Sequence, residues 1–154
     1  DVEGVDPAKN IVKVAREKGL KVYNDYFNDK SFGGEEFESK YDIVISNNTF
    51  AHIIDIQSVI RGIHKVLKPD GVFIFEVHYL KNLIEGKQWD NVYHEHIFYY
   101  SITALQKMFQ IHNMTLIDFE EIPIHSGSIR VTVRNKTTFL QFLLDPMQVR
   151  HKQY

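Results

Sequence analysis

Short apolar runs and helical stripes alternate along the first half of the chain. Runs rich in β-branched residues predict strands at residues 2–5, 20–23, 41–46 and 72–77. Helical spacing predicts helices at residues 7–18 and 55–67, with a short one at 35–39 and a turn at 68–71. The stripe of the first helix holds Ile11, Val12, Val14 and Ala15. This alternation favours a parallel, doubly wound α/β sheet, in which the nearly continuous run 41–46 is a buried strand.

The second half of the chain follows a different pattern. A polar and aromatic segment at residues 90–101 precedes a predicted helix at 102–110. Two further strands at 115–121 and 128–134, joined by a Gly-containing link, fit an antiparallel pair at a sheet edge. Residues 137–144 are apolar and are predicted to be helical, and residues 146–154 are predicted to be a frayed end.

Composition places the chain among ordinary globular domains. It has 154 residues, of which 44% are hydrophobic and 25% charged, so one domain is expected. A formal net charge of −2 gives no electrostatic reason to expect binding to nucleic acid or to an anionic membrane. No apolar run approaches the roughly 20 residues that span a bilayer. The first six residues lack a basic region typical of a signal peptide, and cysteine is absent, so a reducing, cytoplasmic location is expected.

Residues Tyr93 to His96 concentrate groups that transfer protons near neutral pH. The segment reads Tyr-His-Glu-His, so it places a phenol, two imidazoles and a carboxylate in four positions. In an extended chain Tyr93 and Glu95 share one face, and His94 and His96 share the other. The alternatives are a surface loop with aromatic anchors and, less favoured, a metal site formed by several of the histidines.

Polar residues also follow two of the predicted strands. Asp6 ends the first strand, where an acid accepts hydrogen bonds from ribose hydroxyls in nucleotide sites, or caps the helix that begins near Pro7. Asn48 and His52 follow the strand 41–46, and ligands of open α/β sheets bind at such carboxyl ends. Capping of the next helix is the structural alternative for this second group.

The link between the last two strands contains His125, Ser126, Gly127, Ser128 and Arg130. This combination predicts an anion site or a simple hairpin turn with a solvated arginine. No G-x-G-x-x-G motif occurs in the sequence, and no strand precedes Asp6 except 2–5. A nucleotide-binding sheet requires a strand and a Gly-rich turn upstream of such an acid, so we expect the chain to be a fragment of a longer protein.

Five motifs together resemble class I S-adenosylmethionine-dependent C-methyltransferases, in particular those that methylate nucleotide-linked deoxysugars. The resemblance covers residues 1–134 and is most specific in the Tyr-His-Glu-His block and in His-Ser-Gly-Ser-Ile-Arg. The motifs lie at residues 4–7, 47–53, 67–77, 93–96 and 125–130.

The resemblance implies a role for each candidate residue. It implies a cofactor-binding role, with S-adenosylmethionine as the cofactor, for Asp6 at the ribose, Asp25, Tyr26 and Phe27 at adenine, and Asn48 at the junction with the substrate. It implies a catalytic role for His96 as the base, Glu95, Tyr93 and His52, and a substrate-binding role for His125 and Arg130. It implies no metal, and the substrate is a nucleotide-sugar or another small molecule.

Several parts of the family pattern are absent from this sequence. The zinc-binding domain, the first strand with its glycine-rich loop, and most of the C-terminal domain are missing. We therefore expect a partial methyltransferase domain at residues 1–136, the start of a truncated C-terminal segment at 137–154, and doubtful activity for this chain alone. The alternatives are an O- or N-methyltransferase of a small molecule, a binding module that kept the fold without catalysis and, last, a nicotinamide-dependent oxidoreductase.

Overall fold

The structure is a computed structural model that describes residues 1–124 and 127–136. Its strands are β1 (Glu3–Val5), β2 (Lys21–Tyr23), β3 (Tyr41–Asn47), β4 (Leu67–His78), β5 (Met114–Ile122) and β6 (Ser128–Asn135). Its helices are α1 (Lys9–Glu17), α2 (Ile56–Val66), α3 (Leu80–Glu85) and α4 (Ile102–Ile111), with 3₁₀ turns at Glu35–Phe37, Phe50–His52 and Trp89–Asn91. The predictions for residues 137–154, and for His125 and Ser126, lie outside the described residues.

The described strands form two sheets. In the smaller sheet β1 pairs with β2 in parallel, and in the larger sheet the order is β3-β4-β6-β5. The pair β3 and β4 is parallel, whereas β6 runs antiparallel to both β4 and β5. The predicted α/β class and the antiparallel pair with β5 at the edge are therefore confirmed.

The core lies against the four-stranded sheet and is built largely from aromatic rings. Phe50, Phe73, Phe75 and Phe109 are fully buried, and the Phe50 ring lies 4.7 Å from that of Phe75. The helices that cover this core begin where the sequence supplies a cap. Asp55 accepts a hydrogen bond from the Ser58 backbone at the start of α2, and Ser101 does the same for Ala104 at the start of α4.

The small sheet is joined to the large one by a partly buried carboxylate. Glu3 on β1 accepts hydrogen bonds from Lys21 and Tyr23 on β2, and from Lys40 and Tyr41 at the start of β3. These donors, Lys21 first and then Tyr41 and Lys40, hold the pKa of the Glu3 carboxyl well below its usual range. We call this group of residues the Glu3 cluster.

One burial prediction is wrong, and one apolar stripe is mostly exposed. The strand β3 is not buried, because it is an edge strand of its sheet and Ile43 and Ile45 are 55% and 65% exposed. In the stripe of α1 only Val12 is buried, while Ile11 and Val14 are about half exposed. In both places the apolar pattern was correct for secondary structure, but the described residues supply no layer that covers these side chains.

The predicted turn at residues 68–71 is part of β4 instead. The ladder pairs Leu67 with Tyr41 and then Val72 with Ile43, so the four intervening residues form an irregularity within the strand. The sequence analysis did not predict helix α3 or the 3₁₀ turn Trp89–Asn91, both of which connect the sheet to the proton-transfer segment.

Candidate active site

The candidate site lies at the carboxyl ends of the parallel strands β3 and β4. His52 is in the 3₁₀ turn that follows β3, and His78 is the last residue of β4. The loop that carries His96 folds onto this edge, because the Ala51 carbonyl accepts hydrogen bonds from the backbone N–H groups of Ile97 and Phe98. The fold therefore brings His52 and His96 together, with ring centroids 4.9 Å apart.

His96 is the centre of this arrangement. Its side chain is buried, and its ring centroid lies 4.6 Å from His78 and 4.2 Å from Tyr93. The Tyr93 hydroxyl lies 3.0 Å from Nε2, and the Asn91 backbone carbonyl lies 3.1 Å from Nδ1. Since a carbonyl can only accept, Nδ1 carries a proton, and the neutral ring has its lone pair on Nε2, where it accepts from Tyr93.

Glu95 contacts His52 through its backbone. The Glu95 carbonyl accepts a hydrogen bond from Nδ1 of His52 at 2.7 Å, so neutral His52 also has its lone pair on Nε2. The Glu95 side chain is exposed, and both ring nitrogens of His96 have other partners. The catalytic role of the Glu95 carboxylate stays a prediction.

The proton-transfer segment is also not extended. The backbone N–H of His96 donates to the Tyr93 carbonyl at 3.1 Å, which closes a turn. The division of the four residues between two faces, which holds for an extended chain, therefore does not apply here. The turn is what allows the Tyr93 hydroxyl to reach the ring of His96 three residues later.

Asn48 lies beside these groups and has an unusual conformation. Its φ is +51°, which is uncommon for a residue other than glycine, and its backbone N–H donates to the Glu76 carbonyl at 3.0 Å. Its side-chain Oδ1 is buried with no hydrogen-bond partner among the described residues. A buried acceptor without a partner fits a ligand that brings a donor to this point.

The residues predicted to contact the cofactor differ in their burial and in their contacts. Asp6 follows β1, and its Oδ1 accepts from the Ala8 backbone N–H at 2.7 Å. The capping alternative is wrong, because α1 begins at Lys9 and its N-cap residue is Ala8, with no side-chain cap hydrogen bond. Asp25 and Tyr26 are exposed, whereas the ring of Phe27 stacks on that of Phe32 at 5.1 Å and packs against the core. Their predicted contacts with adenine stay predictions.

Arg130 is held by carboxylates. Its Nε and Nη2 donate to one oxygen of the buried Glu76 at 2.8 and 2.7 Å, and Nη1 donates to Glu120 at 2.6 Å. Two negative charges thus surround one guanidinium, so Arg130 is not presented to solvent as an unpaired cation. Its substrate-binding role stays a prediction, and the predicted partner His125 lies outside the described residues.

Among residues 1–124 and 127–136, no group of three or more His, Cys, Asp or Glu side chains has the arrangement of a metal site. In the same residues, no helix is long and apolar enough to cross a membrane.

Comparison with known proteins assigns the chain to a family. A family described as a methyltransferase domain matches residues 1–118. The chain belongs to this methyltransferase domain family. It is 37% identical over 133 residues to the C-methyltransferase NovU of Streptomyces niveus. The aligned region covers 84% of this chain and 31% of that protein. It is 31% identical over 74 residues to malonyl-[acyl-carrier protein] O-methyltransferase of Bacillus anthracis, which covers 48% of this chain and 27% of that protein.

The fold is also that of solved methyltransferases. The structure of Burkholderia thailandensis 1,6-didemethyltoxoflavin-N1-methyltransferase, with 1,6-didemethyltoxoflavin and S-adenosylhomocysteine bound, superposes with a TM-score of 0.63 at 16% identity. The match covers 88% of this chain and 61% of that one. The chain spans about a third of the length of the curated relatives that it matches.

The sequence analysis gave three groups of the site no part in proton transfer, although His78 was one of the histidines of the metal alternative. Asn91 contributes a backbone carbonyl, for which no residue type is diagnostic. Tyr99 also donates to that carbonyl, and His78 contacts the His96 ring. The position of His78 directly after a predicted strand was a usable signal, because the carboxyl ends of parallel strands meet at one edge.

Proposed function

We propose that the protein is an S-adenosylmethionine-dependent C-methyltransferase that acts on a ring carbon beside a ketone in a nucleotide-linked deoxysugar. The observation that carries this proposal is the buried His96 ring, whose Nε2 lone pair faces Tyr93 beside His52 at the carboxyl ends of β3 and β4. A likeness of 37% to the C-methyltransferase NovU over most of the chain supports carbon as the acceptor. We also propose that it acts in the cytoplasm, which the absence of cysteine supports.

The residues present fit an adenosyl cofactor. Asp6 lies after β1 with Oδ2 unpaired among the described residues, so it can accept from ribose hydroxyls. The buried Oδ1 of Asn48 lacks a donor. S-adenosylmethionine, when bound, supplies an electrophilic methyl group on a sulfonium. A bound nucleoside would thus satisfy polar atoms that the protein leaves without partners.

His96 performs the proton transfer in this mechanism. Nε2 takes the proton from the ring carbon beside the ketone, while Nδ1–H stays on the Asn91 carbonyl and stabilises the imidazolium. For this step the Tyr93 hydroxyl leaves Nε2 and donates to the ketone oxygen, where negative charge develops. With the cofactor bound, the carbanion would take the methyl group as its bond to sulfur breaks, which would leave S-adenosylhomocysteine, and the imidazolium would release its proton to water.

His52 has a protonation requirement in this scheme. Its Nδ1–H is committed to the Glu95 carbonyl, so its Nε2 can donate to the substrate oxygen only when the ring is an imidazolium. As a neutral ring it can only accept there, for example from a sugar hydroxyl. We propose the hydroxyl-accepting role, in which Nε2 of His52 takes a hydrogen bond from the substrate.

Binding and product analysis test the proposal. S-adenosylhomocysteine is titrated by calorimetry into the chain and into the longest natural protein that carries it. Asp6→Asn keeps the acceptor for Ala8 but loses the negative charge, and we expect affinity to fall about tenfold or more. Asp70→Asn, at an exposed position, is the matched control. Equal affinity for the wild type and Asp6→Asn contradicts the cofactor assignment.

An O-methyltransferase is the second candidate, favoured by the likeness to the malonyl-[acyl-carrier protein] O-methyltransferase over 74 residues. A reaction with ¹³C-methyl-labelled cofactor distinguishes the two by the chemical shift of the product methyl group. A methyl group bound to carbon supports the first proposal, and one bound to oxygen supports the second.

A further inference from the structure

The backbone carbonyl of Asn91 has two side-chain donors. Nδ1 of His96 lies 3.1 Å from this oxygen, and the hydroxyl of Tyr99 lies 3.2 Å from it. A carbonyl oxygen has two lone pairs, so it can accept from both at once. The three residues are separated by five and three positions in the sequence, and the loop curls to bring them to one atom.

The Asn91 carbonyl is available because of where the preceding turn ends. Asn91 is the last residue of the 3₁₀ turn Trp89–Asn91, within which the Gln88 and Trp89 carbonyls accept from the Asn91 and Val92 N–H groups. The final carbonyls of a helical turn have no partner inside it and need donors from elsewhere. Here the donors are the imidazole and the phenol.

We infer that the Asn91 carbonyl and the Tyr99 hydroxyl form a positioning pair that determines which ring nitrogen of His96 is protonated. The carbonyl holds the proton on Nδ1, and the lone pair is thereby directed at Tyr93 from Nε2. The Tyr99 hydroxyl fixes the carbonyl, and its ring meets the His96 ring edge-on at 6.0 Å. Its catalytic consequence rests on the proposed role of His96 as the base.

Asn91 takes part in this pair through its backbone carbonyl, so its side chain can be changed without removing the pair. Among the described residues, the Asn91 side-chain amide makes a single contact, a long one of 3.5 Å with Gln88. Asn91→Ala therefore keeps the carbonyl and is expected to leave the His96 tautomer unchanged. Tyr99→Phe keeps the ring and removes only the hydroxyl. Tyr100→Phe is the matched control, because its hydroxyl donates to the Phe50 carbonyl in the core and not to this loop.

The test is the nitrogen spectrum of the His96 ring. The chain is labelled with ¹⁵N-histidine, and His96→Gln identifies the signals by their loss. At a pH where the ring is neutral, we expect a protonated Nδ1 and an unprotonated Nε2 in the wild type, in Asn91→Ala and in Tyr100→Phe. In Tyr99→Phe both shifts are expected to move toward the averaged values of a mixed tautomer.

Two results overturn the inference. One is a wild-type spectrum that shows the proton of the neutral His96 ring on Nε2. This result can be obtained even if none of the variants folds. The other is a Tyr99→Phe spectrum that matches the wild type. In a turnover assay Tyr99→Phe is expected to lower the rate of proton abstraction about fivefold, the worth of one hydrogen bond, with little change in KM. The spectrum requires no activity, so it can succeed or fail independently of the proposed methyl transfer.

Discussion

The two sheets of this molecule are supported by different sets of contacts. The four-stranded sheet is backed by fully buried aromatic rings, including Phe50, which lies in the same 3₁₀ turn as His52. The two-stranded sheet packs Val5 and Tyr23 against a smaller apolar cluster of Phe32, Phe37 and Val66, and it is also linked to the larger sheet through the Glu3 cluster. The proposed proton-transfer groups therefore lie beside the main aromatic core, whereas the proposed ribose acceptor Asp6 lies on the sheet that depends partly on a charged cluster.

This difference has a consequence for order within the site. Burial of aromatic rings is largely independent of pH and salt, and it fixes side chains to well within the tolerance that proton transfer requires. The stability that a carboxylate with several donors contributes depends on whether the carboxylate is ionised. We expect the region around Asp6, proposed to bind the cofactor, to loosen under conditions in which the region around His96, proposed to be catalytic, stays folded.

The largest effect is expected from the aromatic core. Phe50→Ala removes a fully buried ring that lies within 6.1 Å of Phe75, Tyr100 and Phe109, and we expect it to lower the free energy of unfolding by about 3–5 kcal/mol. Ile54→Ala is the control, because Ile54 is 81% exposed and its loss is expected to cost less than about 0.5 kcal/mol. Urea denaturation measures both. Similar losses for the two variants contradict the description of the core.

The next largest effect is expected from Glu3→Gln. The variant keeps the shape of the side chain but removes the negative charge of the group that accepts hydrogen bonds from Lys21 and Lys40. We expect the free energy of unfolding to fall by about 1–2 kcal/mol. Hydrogen exchange should show faster opening of β1 and β2, with β4 and β6 unchanged. Glu17→Gln is the control, since Glu17 forms an exposed pair with Lys13 at 4.0 Å.

The same carboxylate predicts a pH dependence with a definite sign. The folded pKa of Glu3 is lower than its unfolded value, so its contribution to stability is complete above the ordinary glutamate pKa of about 4.3. That contribution is lost progressively as the pH falls below this value toward the folded pKa. Denaturation as a function of pH should therefore show a steeper loss for the wild type than for Glu3→Gln. Parallel curves would show that the cluster is not ionised as described.

The smallest effect compares one glycine from each region. Gly127 has φ of +107°, and a Cβ there would lie 2.8 Å from Nδ2 of Asn82, whereas Gly19 has φ of +81° and open space around it. Gly19→Ala is expected to cost about 1 kcal/mol from backbone strain alone, and Gly127→Ala should cost more because Asn82 must also move. Thermal denaturation compares the two. An equal loss of stability in the two variants would mean that Asn82 moves away from the new Cβ at no energetic cost.

The sequence was most informative about local structure. The spacing of apolar residues predicted β5, β6, α2 and α4 within a few residues, because periodicity reports which side chains share a face. It was wrong about burial at Ile43 and Ile45, because burial depends on what packs against a face, and that is a tertiary property. The apolar pattern of a strand or helix also does not predict which other residues pack against its apolar face.

The candidate site shows the same limit. Residue type singled out Tyr93, His96 and His52, and the structure brings them together. It could not predict that Glu95 would act through its carbonyl, since every residue has one. The partner of Nδ1 in His96 is likewise a backbone atom, at Asn91, and its position depends on how a 3₁₀ turn ends.

The most direct test of the account is the exchange of a carbon-bound hydrogen with solvent. The longest natural protein that carries this chain is incubated in D₂O with a nucleotide-linked keto-deoxysugar and S-adenosylhomocysteine, and deuterium entry beside the ketone is followed by NMR. Because Nε2 of His96 is the proposed proton acceptor, His96→Ala should reduce exchange at least a hundredfold, whereas His94→Ala, at an exposed position, should leave it near the wild-type rate. Wild-type exchange in His96→Ala would contradict the assignment of His96 as the base.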